Sequence, residues 1–526
     1  MRKVNVFKII FLFLFTAVII VPVATMDVLG GGYSPIEQRN LAVFPLNKNN
    51  ETGKLEVSKV GVSDWISDNI GFRNELLKLC VNFKYKALGQ STSEKILIGK
   101  DGWLFYTMDN NTKIAIGEYP LTDEDLKIIA QNQQCISDYY KSVGKFYILM
   151  LMPSKVSIYS EYLPMGNKNI DKTPVDIVAE YLRENTDVVV YNAKDALLEA
   201  KNDGAGQLYH KTDTHWNEKG AYYTYKGLHQ TMLDNGILND KVVEVTFGQG
   251  EYKGEFSSML GDSNILPSEE APVINWNMQS IEIQDGLLYS AVQEKENQYG
   301  THQGANLFSN PSKLLTAQIY GDSQIEVIRK IPQLLSEHFS TFVKYSVRNV
   351  SITVDDVVNP DVVIFSCSER FINPLLLQQA NVPYLSDEND LPKNIISCKD
   401  ISYKDMWLDN VNSIDLNTEG YIAGQIPKKL YQDAQTVFFN GWAADFNVNM
   451  PLSALYLKAG DKIIRCQYGI ERTSVSDFFQ NENLKMTGFN VTIPKTYLDG
   501  VDKIEFIQVG YDGSYRFEAV EYTLID

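Results

Sequence analysis

The stretch "LLTAQIYGDS" at residues 314–323, followed by "QIEVIRKIPQLLSEHF" at 324–339, reads as a buried strand that ends in a polar turn and hands over to a helix. The same alternation recurs outward from it. "TDEDLKIIAQNQQCISDYYKSVG" at 122–144 predicts a helix capped by Thr122, and "KFYILMLMP" at 145–153 a buried strand. "TPVDIVAEYLREN" at 173–185 predicts a helix, "TDVVVYNA" at 186–193 a strand, and "NPDVVIFSCSER" at 359–370 another. This alternation predicts an α/β domain in which a parallel sheet is covered by helices on both faces. Such sheets carry their sites at the carboxyl edge, and Ser323 falls there, past the strand 314–320 and before a helix.

Upstream, "KTDTHWNEKGAYYTY" begins at Lys211 and holds Asp213 and His215 two residues apart. In an extended segment, side chains at that spacing point to one side, so a carboxylate can orient an imidazole. With Ser323 as hydroxyl, the three residue types of a nucleophilic triad are present: a nucleophile, a base in His215, and in Asp213 a group that fixes the ring tautomer. Taken singly, D-x-H is more often a surface or supporting feature and G-D-S a common strand-to-helix cap. Their joint occurrence carries more weight, since the chain has five histidines, His210, His215, His229, His302 and His338, and one of them falls in the D-x-H motif.

At 526 residues, 44% hydrophobic and 22% charged, the chain is long enough for about two to four packed domains. Its 48 basic and 66 acidic residues leave a net charge of −18, which repels a phosphate backbone and excludes nucleic acid as a partner. Residues 1–26 place Arg2, Lys3 and Lys8 ahead of an apolar run from Ile9 to Ala24 that only Thr16 and Pro22 interrupt. This is an export signal: short for the ~20 residues of a spanning helix, but followed by no A-x-A-like cleavage site. The expectation is an uncleaved membrane anchor with its basic end inside and the remainder extracytoplasmic. The five cysteines, Cys80, Cys135, Cys367, Cys398 and Cys466, show neither a disulfide framework nor zinc spacing and read as small buried hydrophobes. No G-x-G-x-x-G, P-loop or H-E-x-x-H occurs, so no cofactor and no metal is expected.

Residues 27–90 form a polar, turn-rich lead-in followed by one helix over "VSDWISDNIGFRNELLKLCVNFKYKAL", with Trp65, Ile66, Phe72, Leu76, Leu77 and Cys80 at helical spacing. The main domain spans 91–400 and opens on two short strands in "KILIGKDGWLFYT", joined at Asp101 and Gly102. From 401 to 526 the texture changes to short aromatic and β-branched runs such as "AQTVFFNGWAADF" and "DKIEFIQVGYDGSYRFEAVEYTLI". A separate β-sandwich of roughly 100 residues fits them.

Six elements in order are similar to SGNH-hydrolase-like polysaccharide O-acetyltransferases of the alginate acetylation type. They are E-x-R-x-L-A-x-F-P at Glu37, W-I-x-D-N-x-G-F-R at Trp65, D-G-W-L-F-Y at Asp101, P-S-K-x-x-I-Y at Pro153, D-T-H-W-N at Asp213 and Y-G-D-S at Tyr320. The resemblance implies a permuted SGNH-like fold with D-x-H ahead of the serine. It assigns Ser323 as nucleophile, His215 as base and Asp213 as orienting acid, with Gln324, Trp216 and Arg370 as candidate substrate-binding or supporting residues. Gln324 departs from the pattern, since many relatives have an aromatic there, and this bears on the acyl pocket. The C-terminal part resembles β-sandwich modules of bacterial surface-glycan enzymes, in which Trp442, Tyr468 or Tyr511 would stack on sugar or, alternatively, serve as core.

The function implied is an acetyltransferase acting on an extracytoplasmic polysaccharide, supplied by a membrane-bound O-acyltransferase as acetyl donor partner. The same triad with water as acceptor would make a carbohydrate acetylesterase. A catalytically silent glycan-binding scaffold is the third reading.

Overall fold

The computed structural model describes residues 6–27, 30–34, 39–48, 54–58, 61–164, 172–301, 304–326, 328, 330–346, 355, 357–377, 382–384, 391–398, 406–418, 420–434 and 436–526. Glu37, His302 and the expected boundary between 400 and 401 lie outside the described residues. The central sheet has seven strands: β1 Phe146–Met152, β2 Val189–Asn192, β3 Ile281–Ile283, β4 Asn306–Ser309, β5 Thr316–Tyr320, β6 Thr341–Tyr345 and β7 Val362–Ser368. Their spatial order is β3-β4-β6-β5-β7-β1-β2.

The five strands from β6 to β2 run parallel, with Ile319 of β5 beside Ile364 of β7, and Ile364 beside Ile148 of β1. Strands β3 and β4 add an antiparallel edge that the sequence reading did not anticipate. All seven residues of β7 are buried, and its apolar run Val362–Phe365 is what a strand covered on both faces requires. Ile148, Ala317, Ile319 and Ile364 pack on one face, and Tyr147, Leu149, Val363 and Phe365 on the other. Each large apolar side chain buried there contributes about 1.5–3 kcal/mol. The expected α/β domain with a parallel sheet between helices is thus present, with a β-rich C-terminal region and an N-terminal apolar helix α1, Val6–Ala24.

Two helical expectations need correction. Beyond Ser323 the described residues make a 3-10 turn over Ser323–Ile325, and the α-helix occupies Ile331–Ser336. Pro332 sits in its first turn, where a missing N–H costs nothing; in a helix running through from 324 it would remove a backbone hydrogen bond. The expected helix over 62–88 is two helices, α2 Val62–Asn69 and α3 Arg73–Leu88, separated by extended Ile70 and by Phe72 at φ 58°. Asp68 fixes the break by accepting from Arg39, Arg73 and the Ala42 N–H, which holds its carboxyl down at about 2. Thr122 caps the helix Asp123–Ser142 in a full capping box, and the 96–98 and 104–106 strands pair about a turn with Asp101 at φ 53°.

The C-terminal region is a two-sheet sandwich. One sheet is built around Ala454–Ala459 and Lys503–Val509, the other around Thr436–Ala443 and Gly488–Pro494, and Leu408, Phe439, Leu455, Phe489 and Phe506 fill the space between. Strands Val382–Tyr384 and Ile395–Ile396 pair into the first sheet, so the sandwich takes in chain ahead of 401. Tyr468 is core: it is 4% exposed, its hydroxyl donates to the Ala443 carbonyl, and it accepts from the Leu452 N–H. Trp442 is half-buried against Phe446 and Phe479, which leaves Tyr511 as the exposed aromatic of the three. Cys135, Cys367 and Cys466 are buried as expected, whereas Cys80 lies exposed on α3 and Cys398 is half-buried.

Candidate active site

Three neighbouring parallel strands deliver side chains to one cleft from their carboxyl ends. Past β5 come Asp322, Ser323 and Gln324; past β7, Glu369 and Arg370; past β1, Ser154 and Lys155. Gly321 makes the exit from β5 tight, since a Cβ there would lie 1.9 Å from Ser366 Oγ, so a side chain would displace the turn. The Asp322 carboxylate then accepts the Gln324 N–H at 3.0 Å and caps the 3-10 turn that presents Ser323. The cleft is lined by Phe105, Tyr106, Ser154, Lys155, Gln324 and Arg370, among others.

The D-x-H stretch reaches Ser323 from the connection between the helices Ala193–Asn202 and Glu218–Asp234. It is a bend, not the extended segment expected, and Asp213 and His215 converge for a different reason. The Asp213 Oδ1 accepts both the His215 backbone N–H at 3.1 Å and His215 Nδ1–H at 2.6 Å, a local side-chain-to-backbone turn that also clamps the ring. Asp213 Oδ2 accepts the Tyr252 hydroxyl at 2.6 Å and the Glu255 N–H at 3.2 Å. With Nδ1 donating, His215 Nε2 is the acceptor, and Ser323 Oγ lies 3.0 Å from it. Asp213, His215 and Ser323 are therefore brought into one hydrogen-bonded line.

Of the other candidates, Gln324 and Arg370 line the cleft, and their buried Gln324 Nε2 and Arg370 Nε atoms meet no hydrogen-bond partner among the described residues. Trp216 does not belong with them. It is fully buried and packs edge-on against Tyr209 in the core beneath the turn. The D-T-H-W-N motif of the resemblance carried the expectation, but the chain reverses between the two side chains and sends the indole inward.

Several residues that shape the site had no role in the sequence reading. Lys155 is 5% exposed, and its ammonium donates to the carbonyls of His210 at 3.0 Å, Lys211 at 3.2 Å and Asp213 at 2.6 Å. It also sits over the rings of Trp103, Phe105 and Phe256 at 4.9 to 5.7 Å. Burial there pulls its pKa down to about 7, against the opposing pull of Asp213, Glu269 and Glu255. Glu269 accepts the Lys211 and Thr212 N–H groups from below, and Glu255 accepts the Thr214 N–H and hydroxyl. The signals for Lys155 were its place just past a buried strand and the P-S-K motif at Pro153; Glu255 and Glu269 lie in a stretch that carries no motif.

Asp213, His215 and Glu255 have metal-ligand chemistry and proximity, as do His229, Asp240 and His338 at the opposite edge of the sheet. The donors argue against a cation at either. His215 Nδ1 is committed to Asp213 at 2.6 Å, and Asp240 is paired with the Lys313 ammonium at 2.5 Å.

Residues 96–291 match the family model described as the SGNH hydrolase-like domain of acetyltransferase AlgX. The match includes Lys155, Asp213 and His215 and ends short of Ser323. In sequence the chain is 26% identical over 183 residues to a Pseudomonas putida protein named probable alginate O-acetylase AlgJ, covering 33% of this chain and 45% of that one. The counterpart from Pseudomonas syringae pv. tomato is 26% identical over 184 residues, covering 33% and 44%. The chain thus spans less than half the length of these curated relatives. Among solved structures, the O-acetyltransferase domain of Pseudomonas putida AlgJ aligns at 17% identity and TM-score 0.36, covering 53% of this chain and 92% of that one. The resemblance read from the sequence motifs is borne out by the family match.

Proposed function

We propose that the protein is an O-acetyltransferase that moves acetyl groups onto a polysaccharide outside the cytoplasm through an acetyl-enzyme on Ser323. The observation that carries this reading is the 3.0 Å contact between His215 Nε2 and Ser323 Oγ, with His215 Nδ1 held by Asp213. Ser323 Oγ attacks the acetyl carbonyl of the donor while His215 Nε2 takes its proton, and Asp213 stabilises the imidazolium. Collapse of the tetrahedral intermediate returns that proton to the leaving group. A sugar hydroxyl then gives its proton to His215 and attacks the acetyl-serine. Gln324 and Arg370 supply N–H donors on the cleft wall where negative charge develops on the carbonyl oxygen.

The relatives' printed name, probable alginate O-acetylase, supports a polysaccharide acceptor. The helix α1 supports membrane attachment, since Phe7–Ala24 is apolar and only 6% buried within the protein. An uncleaved anchor would hold the cleft beside a membrane-bound O-acyltransferase, the acetyl donor partner of this reading. The domain limits proposed are the anchor at 1–26, the lead-in at 27–90, the acetyltransferase domain at 91–400 and the sandwich at 401–526, with its first strands drawn from before 401. Within the sandwich, Tyr511 is the remaining sugar-stacking candidate.

Transfer and hydrolysis separate in one assay. The protein is incubated with an activated acetyl ester and a panel of oligosaccharides, and free acetate and acetylated sugar are both followed. For transfer, an acceptor hydroxyl held in the cleft must outcompete water. The expected result is acetylated sugar that disappears in Ser323→Ala. Acetate release unchanged by every acceptor, with no acetylated sugar, would make the protein an esterase.

Lys155 acts on the triad through the main chain, and its replacement tests that. In Lys155→Met three hydrogen bonds to the 210–213 turn are lost, so kcat should fall by roughly tenfold with KM for a small ester little changed. Stability should fall as well, because methionine leaves buried carbonyls of the turn without their donor. The pH dependence follows from linkage. Between about pH 7 and the ordinary lysine range the unfolded chain holds the Lys155 proton and the folded chain does not, so stability rises with pH across that window. The wild type should accordingly gain melting stability relative to Lys155→Met as pH is raised from 7 to 10. A parallel pH course for the two proteins would show that Lys155 keeps its proton in the folded state through that window, with its pKa in the ordinary lysine range.

A further inference from the structure

We infer that α3 is a second membrane contact, lying along the bilayer surface with a stripe of apolar side chains in the headgroup–acyl boundary beside α1. The inference goes beyond the catalytic proposal and rests on the anchor reading of α1.

Helix α3 is apolar on two opposite sides. Val81 and Tyr85 face the body of the protein, where they join a cluster with Leu104, Phe256 and Leu260, and Asn82 ties the same side to Asp262 at 2.8 Å. On the other side Phe72, Leu76, Leu79 and Phe83 are 53, 46, 71 and 60% exposed, and Cys80 is exposed among them. At about 100° per residue Leu76, Leu79, Cys80 and Phe83 fall within roughly 100° of arc on the side away from Val81, and Phe72 precedes the helix at φ 58°. A soluble helix needs one apolar stripe to dock, and the second has nothing of this chain against it among the described residues. A contiguous bare patch of this kind marks a contact surface.

Two features of the chain select lipid as the occupant. The first is continuity with α1. The Gly71 N–H donates to the Pro22 carbonyl at 2.9 Å, and the Asp27 N–H donates to the Asn69 carbonyl at 2.9 Å, so the elbow before α3 is bonded to the end of the apolar helix. The junction is close enough that a Cβ at Gly71 would lie 1.9 Å from Thr25 Oγ1. The stripe therefore starts where α1 leaves the membrane. The second is the flanking charge: exposed Lys84 and Lys86 fall on either side of the stripe, where long basic side chains reach phosphate headgroups while the apolar side chains sink.

The test uses the full chain in vesicles of phosphatidylcholine with phosphatidylglycerol. Nitroxide labels are placed singly at Leu79→Cys, Phe83→Cys and, as controls, Lys78→Cys and Leu14→Cys, with Cys80 and Cys398 replaced by serine. The expected result is that labels at 79 and 83 collide with oxygen rather than with a water-soluble nickel complex several-fold more than the label at 78, approaching the ratio at 14. Equal nickel access at 78, 79 and 83 would overturn the inference. So would exclusion of both reagents or spin–spin broadening at 79 and 83, which would assign the stripe to another protein or a second copy. In each of those cases immersion of the label at 14 leaves the anchor reading standing. Loss of α1 from the mature chain by mass removes the anchor and the inference with it. A Leu79→Asp/Phe83→Asp variant should keep full turnover of a soluble acetyl ester, because the stripe touches no group of the cleft.

Discussion

Ser323→Ala and His215→Ala should each lower acetyl-ester turnover by about 10⁴-fold or more, and the double variant should be scarcely worse than either. The reason is the single line of hydrogen bonds. Without Oγ there is no nucleophile for Nε2 to activate, and without Nε2 a serine hydroxyl at its ordinary acidity is a poor nucleophile. Ser323→Ala removes a single oxygen, so its fold should survive, and melting temperature checks both variants, since His215 is buried. Additive losses in the double variant would mean that the two residues serve separate steps. Turnover near that of the wild type in Ser323→Ala would remove the nucleophile from the account.

Asp213→Asn should cost nearly as much, by about three to four orders of magnitude in kcat. The carboxylate accepts from four donors: the His215 N–H, His215 Nδ1–H, the Tyr252 hydroxyl and the Glu255 N–H. An amide has one acceptor oxygen, and its NH₂ must face donors on the other side. If the oxygen stays toward Tyr252 and Glu255, the NH₂ meets Nδ1, which then becomes the acceptor and moves the ring proton to Nε2. That tautomer cannot take the proton from Ser323. The measurement is kcat with a small ester, together with the His215 ring proton shifts, which report the tautomer. A loss of less than tenfold with Nδ1 still protonated would show that Glu255, 3.8 Å from Nδ1, substitutes for Asp213.

The parallel core of the sheet was legible because β1, β5 and β7 are buried beyond their first residue or throughout, and burial on both faces writes a largely apolar run into the sequence. The edge strands β3 and β4 are three and four residues long, and their polar interruptions hide them from a pattern reading. Ser323 was legible for the same reason as β5: its place follows from where the strand stops. The D-x-H pair was found with the wrong geometry, since an extended segment and a carboxylate-capped bend both bring side chains at i and i+2 together. Trp216 was misassigned because adjacency in a turn says nothing about direction. Lys155 was read only as one letter of the P-S-K-x-x-I-Y motif, and Glu255 and Glu269 escaped altogether, since their work is to satisfy backbone groups of a segment far away in sequence. A pairing of that kind is fixed by the tertiary fold and leaves no local period to read.

The account's central claim is that acetyl passes through Ser323 and is loaded there by His215. Mixing the full-length protein with an activated acetyl ester, quenching in acid within the first turnover and mapping peptides by mass spectrometry tests it directly. The account predicts one acetyl group on Ser323 in the wild type, removed on chasing with an oligosaccharide acceptor that emerges acetylated, and no acetyl on that peptide in His215→Ala. Steady acetyl turnover with Ser323 unmodified throughout, or acetyl on another residue that turns over at the catalytic rate, would contradict it.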